Sequence, residues 1–180
     1  MTFTETDFKG LFVIEPRVFS DERGSFMETY TQKTFQEFVG EVNFVQDNES
    51  VSRKGVLRGL HVQLPPFGQG KLVRAVQGSV LDIAVDLRRL EPTFGKHFAL
   101  KLSAENRLQM YIPAGFAHGF LSLEDQTVFS YKCTHFYSRD HERCIIWNDP
   151  HIGIEWGSNE VALSAKDSQA MSFAEFNSPF

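Results

Sequence analysis

Three segments between residues 46 and 73 concentrate the chain's polar chemistry: Gln46-Asp47-Asn48, Val56-Leu57-Arg58-Gly59-Leu60-His61-Val62-Gln63 and Gly70-Lys71-Leu72-Val73. They set an amide pair, a guanidinium, an imidazole and an ammonium among apolar, strand-forming residues. A strand that only holds a sheet together does not need Arg, His and Lys on it. A pocket that binds an anionic ligand and moves a proton does. Imidazole is the usual base near neutral pH, an ammonium can stabilise a developing oxyanion, and a guanidinium fork matches phosphate oxygens bidentately.

These residues must be positioned by strands. Short runs rich in Val, Ile, Leu, Phe and Tyr occur at 11–19, 25–30, 43–51, 56–62, 71–77, 80–87, 97–102, 107–112, 116–123 and 127–136. Turn residues separate them: Gly78-Ser79 reads as a tight hairpin, Pro65-Pro66 as a loop and Pro113-Ala114-Gly115 as a turn. Helix signals are few. Residues 31–39 have Thr31 as a candidate cap and a Phe35/Phe38 apolar edge. Ser164-Ala165-Lys166-Asp167 opens a short helix with capping-box-like spacing, Asp standing in place of Glu. Many short strands with few helices predict a mainly β sandwich or jelly roll.

Alternation sorts the faces. Phe129, Tyr131, Cys133, His135 and Tyr137 share one face, expected to point inward, and Ser130, Lys132 and Thr134 share the other. Leu81, Ile83, Val85 and Leu87 form an apolar face, so Asp82 and Asp86 lie opposite, which fits either a polar cavity or a solvated outer surface. Strict alternation separates Arg58 from His61. Either a bulge at Gly59 restores them to one face or Arg58 reaches round a strand end.

With 180 residues the chain is expected to form one domain over 1–180, with a jelly-roll core at about 43–137. The net charge of −5 argues against a nucleic-acid binder but not against one diphosphate ligand, which needs only a few local cations. No apolar stretch approaches membrane-spanning length, and the polar N-terminus does not read as a signal peptide, so a cytoplasmic setting without a membrane partner is expected. Cys133 and Cys144 lack metal-ligand spacing and are expected to be buried free thiols.

Further segments complete a pattern: Asp21-Glu22-Arg23-Gly24-Ser25-Phe26-Met27-Glu28, 111–120 with Pro113-Ala114-Gly115-Phe116-Ala117-His118, Tyr131-Lys132-Cys133-Thr134 and Trp147-Asn148-Asp149-Pro150. With the segments above, and in the same order over nearly the whole chain, they resemble the dTDP-4-dehydrorhamnose 3,5-epimerases. The resemblance implies a cupin-type jelly roll with an N-terminal strand arm and short C-terminal helices. It implies a dTDP-linked 4-keto-6-deoxy sugar as substrate, no cofactor, and a homodimer with an exchanged N-terminal strand. By the same resemblance His61 is the general base, Asp167 its partner, Tyr131 the acid and Lys71 the enolate stabiliser with His118 nearby. Arg23, Glu28, Gln46, Asp47, Asn48, Arg58, Lys71, His118, Glu142 and Lys166 match substrate contacts. Residue type alone would make His61 a core histidine or a base, Tyr131 a packed aromatic, Asp167 a helix N3 carboxylate and Lys71 a strand-end lysine.

Related jelly rolls often hold a metal through a His-x-His pair. Here the second position is Gln63, a poor ligand, and His61 and His118 alone do not hold a divalent ion tightly, so no metal is expected. A metal-dependent cupin enzyme is therefore disfavoured, and the set His61, Lys71 and Tyr131 speaks against a non-catalytic sugar-nucleotide binder, because binding alone does not need a matched acid and base. A single-position epimerase would carry the same base, acid and lysine. His135 is expected to be structural; His97, His141 and His151 are expected at the surface. Tyr137 either lines the nucleotide end or packs.

Overall fold

A computed structural model describes residues 1–180. Most strands fall where apolar runs predict them. One sheet has six strands in the order β1 (Thr2–Glu5), β2 (Phe12–Glu15), β10 (Gln109–Ile112), β7 (Lys71–Gln77), β12 (Thr127–Cys133) and β5 (Gln46–Ser52). A second has five: β13 (Glu142–Cys144), β6 (Leu57–Gln63), β11 (Phe116–Ser122), β8 (Ser79–Asp86) and β9 (His97–Ser103). All strand pairings are antiparallel. The two sheets face each other over Val73, Met110 and Phe129 from the first and Val80, Leu102 and Phe120 from the second. This is the jelly-roll sandwich expected.

The differences have local causes. The run at 11–19 splits at Pro16, which lacks a ladder donor. It yields β2 and then β3 (Val18–Asp21), which pairs only with β4 (Gly24–Met27) as a separate hairpin. Gly78 does not close a hairpin. With φ +70 it turns the chain from β7 in one sheet to β8 in the other, because each strand already has two neighbours in its own sheet. The sheets also recruit β1, β2 and β13, outside the expected central core. The N-terminal strands β1 and β2 pair at the edge of their own chain's sheet, whereas the β3–β4 hairpin pairs with neither sheet.

The outer faces are also covered. Helix α1 (Gln32–Phe38) packs Phe35 with Ile14, Leu72 and Tyr111 on the six-stranded sheet; Thr31 occupies its N-cap position but its side chain makes no capping bond. The segment after β13 covers the five-stranded sheet, burying Ile152, Trp156 and Phe176 against Ile83, Val85 and Leu87. The apolar face of β8 therefore meets the C-terminal segment, while Val80, Asp82 and Ala84 turn into the sandwich. That segment contains one short helix, α2 (Ala165–Ser168), rather than several. No helix is long and apolar enough to cross a membrane.

Candidate active site

At one end of the sandwich a cavity of about 930 Å³ opens between the two sheets and α2. Its walls follow from strand alternation. On β5, Gln46, Asn48 and Ser50 line it; on β12, Tyr131 and Cys133 do. On β6 the register slips beside Gly59: His61 stands opposite His118, whereas Arg58 stands opposite Phe120. This bulge absorbs one residue. Leu57, Leu60 and Val62 then face the outer core, while Arg58, His61 and Gln63 all reach the cavity. The position demands glycine. Its φ is +130, and a Cβ there would lie 2.5 Å from Gly119 Cα on the neighbouring strand. Of the two routes left open by the sequence, the bulge is the one taken.

The floor of the cavity holds two His–Asp pairs side by side. His61 Nε2 donates to Asp167 Oδ1 at 2.5 Å. Asp167 is itself fixed as the third residue of α2, whose N-cap is Ser164: its backbone N–H donates to Ser164 Oγ at 3.1 Å and its Oδ2 accepts from the same hydroxyl at 2.8 Å. Burial would raise its pKa, but the bonds from His61 and Ser164 outweigh burial and hold the carboxyl below its ordinary value. An ionised carboxylate on Nε2–H leaves the lone pair on Nδ1. In the second pair, His118 Nε2 lies 3.0 and 3.1 Å from the two oxygens of Asp82. Burial lowers the His118 pKa, Lys71 and His61 add to that effect, and Asp82 opposes it.

Lys71 begins β7 on the facing sheet, in register with Cys133. Burial pushes its ammonium down, partly offset by Cys133, Asp82 and Glu142. Tyr131 stands on the adjacent β12, its phenol pushed up by burial and Cys133 despite Arg58. His61 and Tyr131 thus approach the cavity from opposite sheets. Asn48 Nδ2 donates to Cys133 Sγ at 3.6 Å and Gln46 Nε2 to Asn48 Oδ1 at 2.9 Å, tying that wall together. Near the rim, Arg58 Nε donates to Ser52 Oγ at 3.2 Å. Glu142 accepts from Lys166 at 2.8 Å and from Tyr137 at 3.1 Å. Arg58, Lys71 and Lys166 make the cavity cationic in a chain that is acidic overall.

The structure therefore brings His61, Lys71, His118, Tyr131 and Asp167 together with Gln46, Asn48, Arg58, Glu142 and Lys166. It separates three other candidates from them. Asp47 faces the other side of β5, because alternation opposes it to Gln46 and Asn48, and its carboxylate pairs with Lys132 at 2.8 Å. Arg23 sits on the β3–β4 hairpin, paired with Asp21 at 2.6 Å with 85% of its side chain exposed. Glu28 follows the same hairpin and lines no part of its own chain's cavity. Sequence reasoning missed Asp82 as the His118 partner, although its place opposite the apolar face of β8 was the available signal. It also missed Cys144, whose pairing with His61 depends on β13, a three-residue strand with no apolar run.

The cupin metal set is not assembled here. Gln63 replaces the second histidine, its Oε1 accepts the Ser138 N–H at 3.1 Å, and His118 is engaged by Asp82. The thiols are free, Cys133 buried and Cys144 half-buried, with burial pushing Cys144 up to about 11.

Comparison with known proteins agrees with this geometry. The family model described as dTDP-4-dehydrorhamnose 3,5-epimerase matches residues 5–175. The dTDP-4-dehydrorhamnose 3,5-epimerase of Shigella flexneri is 53% identical, covering 97% of each chain. The crystal structure of the Elizabethkingia anophelis enzyme of the same name superposes with a TM-score of 0.94 at 48% identity, over 98% of both chains. The Legionella pneumophila dTDP-6-deoxy-D-glucose-3,5-epimerase, solved with dTDP-4-keto-L-rhamnose, also superposes at 0.94, with 44% identity over 98% of this chain and 94% of that one. The match extends from the first sheet to the C-terminal cover, and this chain belongs to the dTDP-4-dehydrorhamnose 3,5-epimerase family.

Proposed function

We propose that the enzyme converts dTDP-4-dehydro-6-deoxy-D-glucose to dTDP-4-dehydro-L-rhamnose, inverting C3 and C5 in dTDP-L-rhamnose biosynthesis. The observation that carries this reading is a carboxylate-held imidazole on one sheet opposed by a phenol on the other. The C4 ketone makes the C3 and C5 protons acidic. His61 Nδ1 takes the proton from one face, and Asp167 stabilises the imidazolium that results. Negative charge moves to the C4 oxygen, where the Lys71 ammonium meets it, with His118 nearby. Tyr131 then delivers its proton from the opposite sheet, which is what inverts the carbon. The phenolate so formed recovers a proton from solvent and the His61 imidazolium releases one to it, which resets both groups for the second carbon.

The diphosphate is assigned to Arg58 and Lys166 at the cavity rim, the Arg fork matching two phosphate oxygens at once. Gln46 and Asn48 hold polar groups of the ligand on the β5 wall, and Tyr137 with Glu142 stands at the nucleotide end. Arg23 and Glu28 are assigned to a partner's cavity in a homodimer. Support comes from the β3–β4 hairpin, which leaves its own sheets and exposes Phe26 at 66%. A cytoplasmic setting fits two free thiols in one chain.

Turnover of dTDP-4-dehydro-6-deoxyglucose in heavy water, followed by NMR, tests the reading. Deuterium at both C3 and C5 with inversion is expected. Label at one carbon only would reassign the enzyme as a single-position epimerase, and no label at either would overturn the proton-transfer assignment. Tyr131→Phe should keep exchange through His61 while losing inversion; a variant that inverts normally would place the acid elsewhere. Sedimentation of the native protein should give a dimer, and mixing Arg23→Ala chains with His61→Asn chains should restore part of the activity if hairpins are shared.

A further inference from the structure

Cys144 has no role in this chemistry, yet it lies against the base. Residues Cys144 and His61 are direct partners in the antiparallel register of β13 and β6, so their side chains leave the sheet on the same face. Asp167 reaches the same point from α2. An imidazole nitrogen, a thiol sulfur and a carboxylate oxygen all lie within 4.8 Å of one another. We propose that His61, Cys144 and Asp167 form an inhibitory binding site for a thiophilic divalent cation, zinc being the natural probe.

The donors suit such an ion. Tetrahedral zinc takes Cys, His and carboxylate ligands at about 2.0–2.3 Å, which puts ligand atoms roughly 3.3–3.7 Å apart. The His61–Asp167 separation of 2.5 Å must open, and the sulfur must close in. Both are side-chain movements, with Asp167 carried on a helix of only four residues. One thiolate and one carboxylate neutralise a divalent charge. Lys166, the nearest competing cation, is already held by Glu142 at 2.8 Å. A mixed sulfur–nitrogen site selects zinc, cadmium or cobalt over magnesium or calcium, which require oxygen cages.

The proton balance explains inhibition. The ion replaces the proton shared between Nε2 and Asp167. That proton passes to Nδ1, so the ring stays neutral but loses the lone pair that would accept the substrate proton. The thiol proton leaves to solvent as sulfur binds the metal. Nothing is oxidised or reduced. Cation binding and general-base action are therefore mutually exclusive at His61. The inhibition half of this inference rests on His61 being the base; the binding half does not.

The test uses the full-length protein freed of metal by chelation. Cobalt(II) alone should bind one ion per chain and give a thiolate-to-cobalt charge-transfer band in the near ultraviolet. Zinc alone should displace it, abolish epimerisation reversibly and be removed by EDTA, while magnesium should do neither. Cys144→Ala should fold, keep its basal activity, lose the band and become at least about tenfold less sensitive to zinc. Cys133→Ala should retain both band and sensitivity. No cobalt band in the native protein, or a band that survives Cys144→Ala, overturns the site whatever the kinetics show. A band lost with Cys144 but no zinc inhibition would keep the site and overturn the block on His61.

Discussion

The two His–Asp pairs use the same atoms in the same kind of bond and stand opposite each other on neighbouring strands, yet they are not equivalent. His61 keeps 26% of its side chain exposed and borrows its carboxylate from α2, outside the sheet. His118 is 8% exposed and takes Asp82 from the adjacent strand of its own sheet. Burial lowers the His118 pKa, and its Nε2–H is committed to Asp82 beside Lys71. His61 lies at the cavity surface with a fixed carboxylate behind it and its Nδ1 open to a ligand. Position in the sandwich, not residue type, sets the two histidines apart.

The sharpest way to break this division is to remove each ring. His61→Asn should keep its fold by circular dichroism and lose about 10³–10⁴ in kcat, the full worth of a general base, with deuterium exchange lost at both carbons. Substantial exchange in that variant, together with its loss in His118→Asn, would reverse the two roles. Asp167→Asn comes next, at about 10³-fold. An amide can donate to Nε2 and so favour the tautomer protonated at Nδ1, which cannot act as base. Full activity in this variant would mean that the carboxylate does not select the tautomer.

Lys71 stands on the His118 side of the comparison. Lys71→Ala should lower kcat by about 100-fold, roughly 2.7 kcal/mol, with a smaller change in KM, because the enolate charge exists only during reaction. Lys71→Arg should rescue poorly, since the planar fork is bulkier than the ammonium. Arg58→Ala should chiefly raise KM. If Lys71→Ala changes KM alone, the lysine contacts phosphate and His118 becomes the first candidate for the enolate.

The smallest effects separate the pairs by pH. For His118 the folded pKa lies below the unfolded value of about 6.5, so the unfolded chain binds more protons as pH falls. Its contribution is complete above about pH 6.5 and is lost progressively below it. Asp167 is also lowered on folding, so its contribution is complete above its unfolded value of about 3.9 and is lost below that. Urea midpoints measured from pH 7 to pH 3 should decline less between pH 6.5 and 5 in His118→Asn. In Asp167→Asn only the decline near pH 4 and below should shrink. Identical curves for both variants would erase the distinction.

Legibility in the sequence followed the range of the interaction. The inward set Phe129, Tyr131 and Cys133 could be read because side-chain direction alternates along a strand. The same rule, applied to β5, would have turned Asp47 away from Gln46 and Asn48. The Ser164–Asp167 cap was visible because it spans one helical turn, whereas its bond to His61 joins residues 106 apart in sequence. β13 left no signal because only three residues pair, and Gly78 misled because a glycine turn looks the same within a sheet or between two.

The sequence by itself determined a mainly β chain and the family to which it belongs, and it offered His61, Tyr131, Lys71 and Asp167 as the candidates for the chemistry, since local propensity, alternation and ordered motifs are properties of the chain. Tertiary structure alone decided that a bulge at Gly59 unites Arg58 with His61, that His61 and Tyr131 face each other from different sheets, and that Asp82 and Cys144 stand beside the two histidines. Each of these depends on register between strands distant in sequence. Register is set by packing both faces of two sheets together, where a slip of one residue exchanges inside for outside.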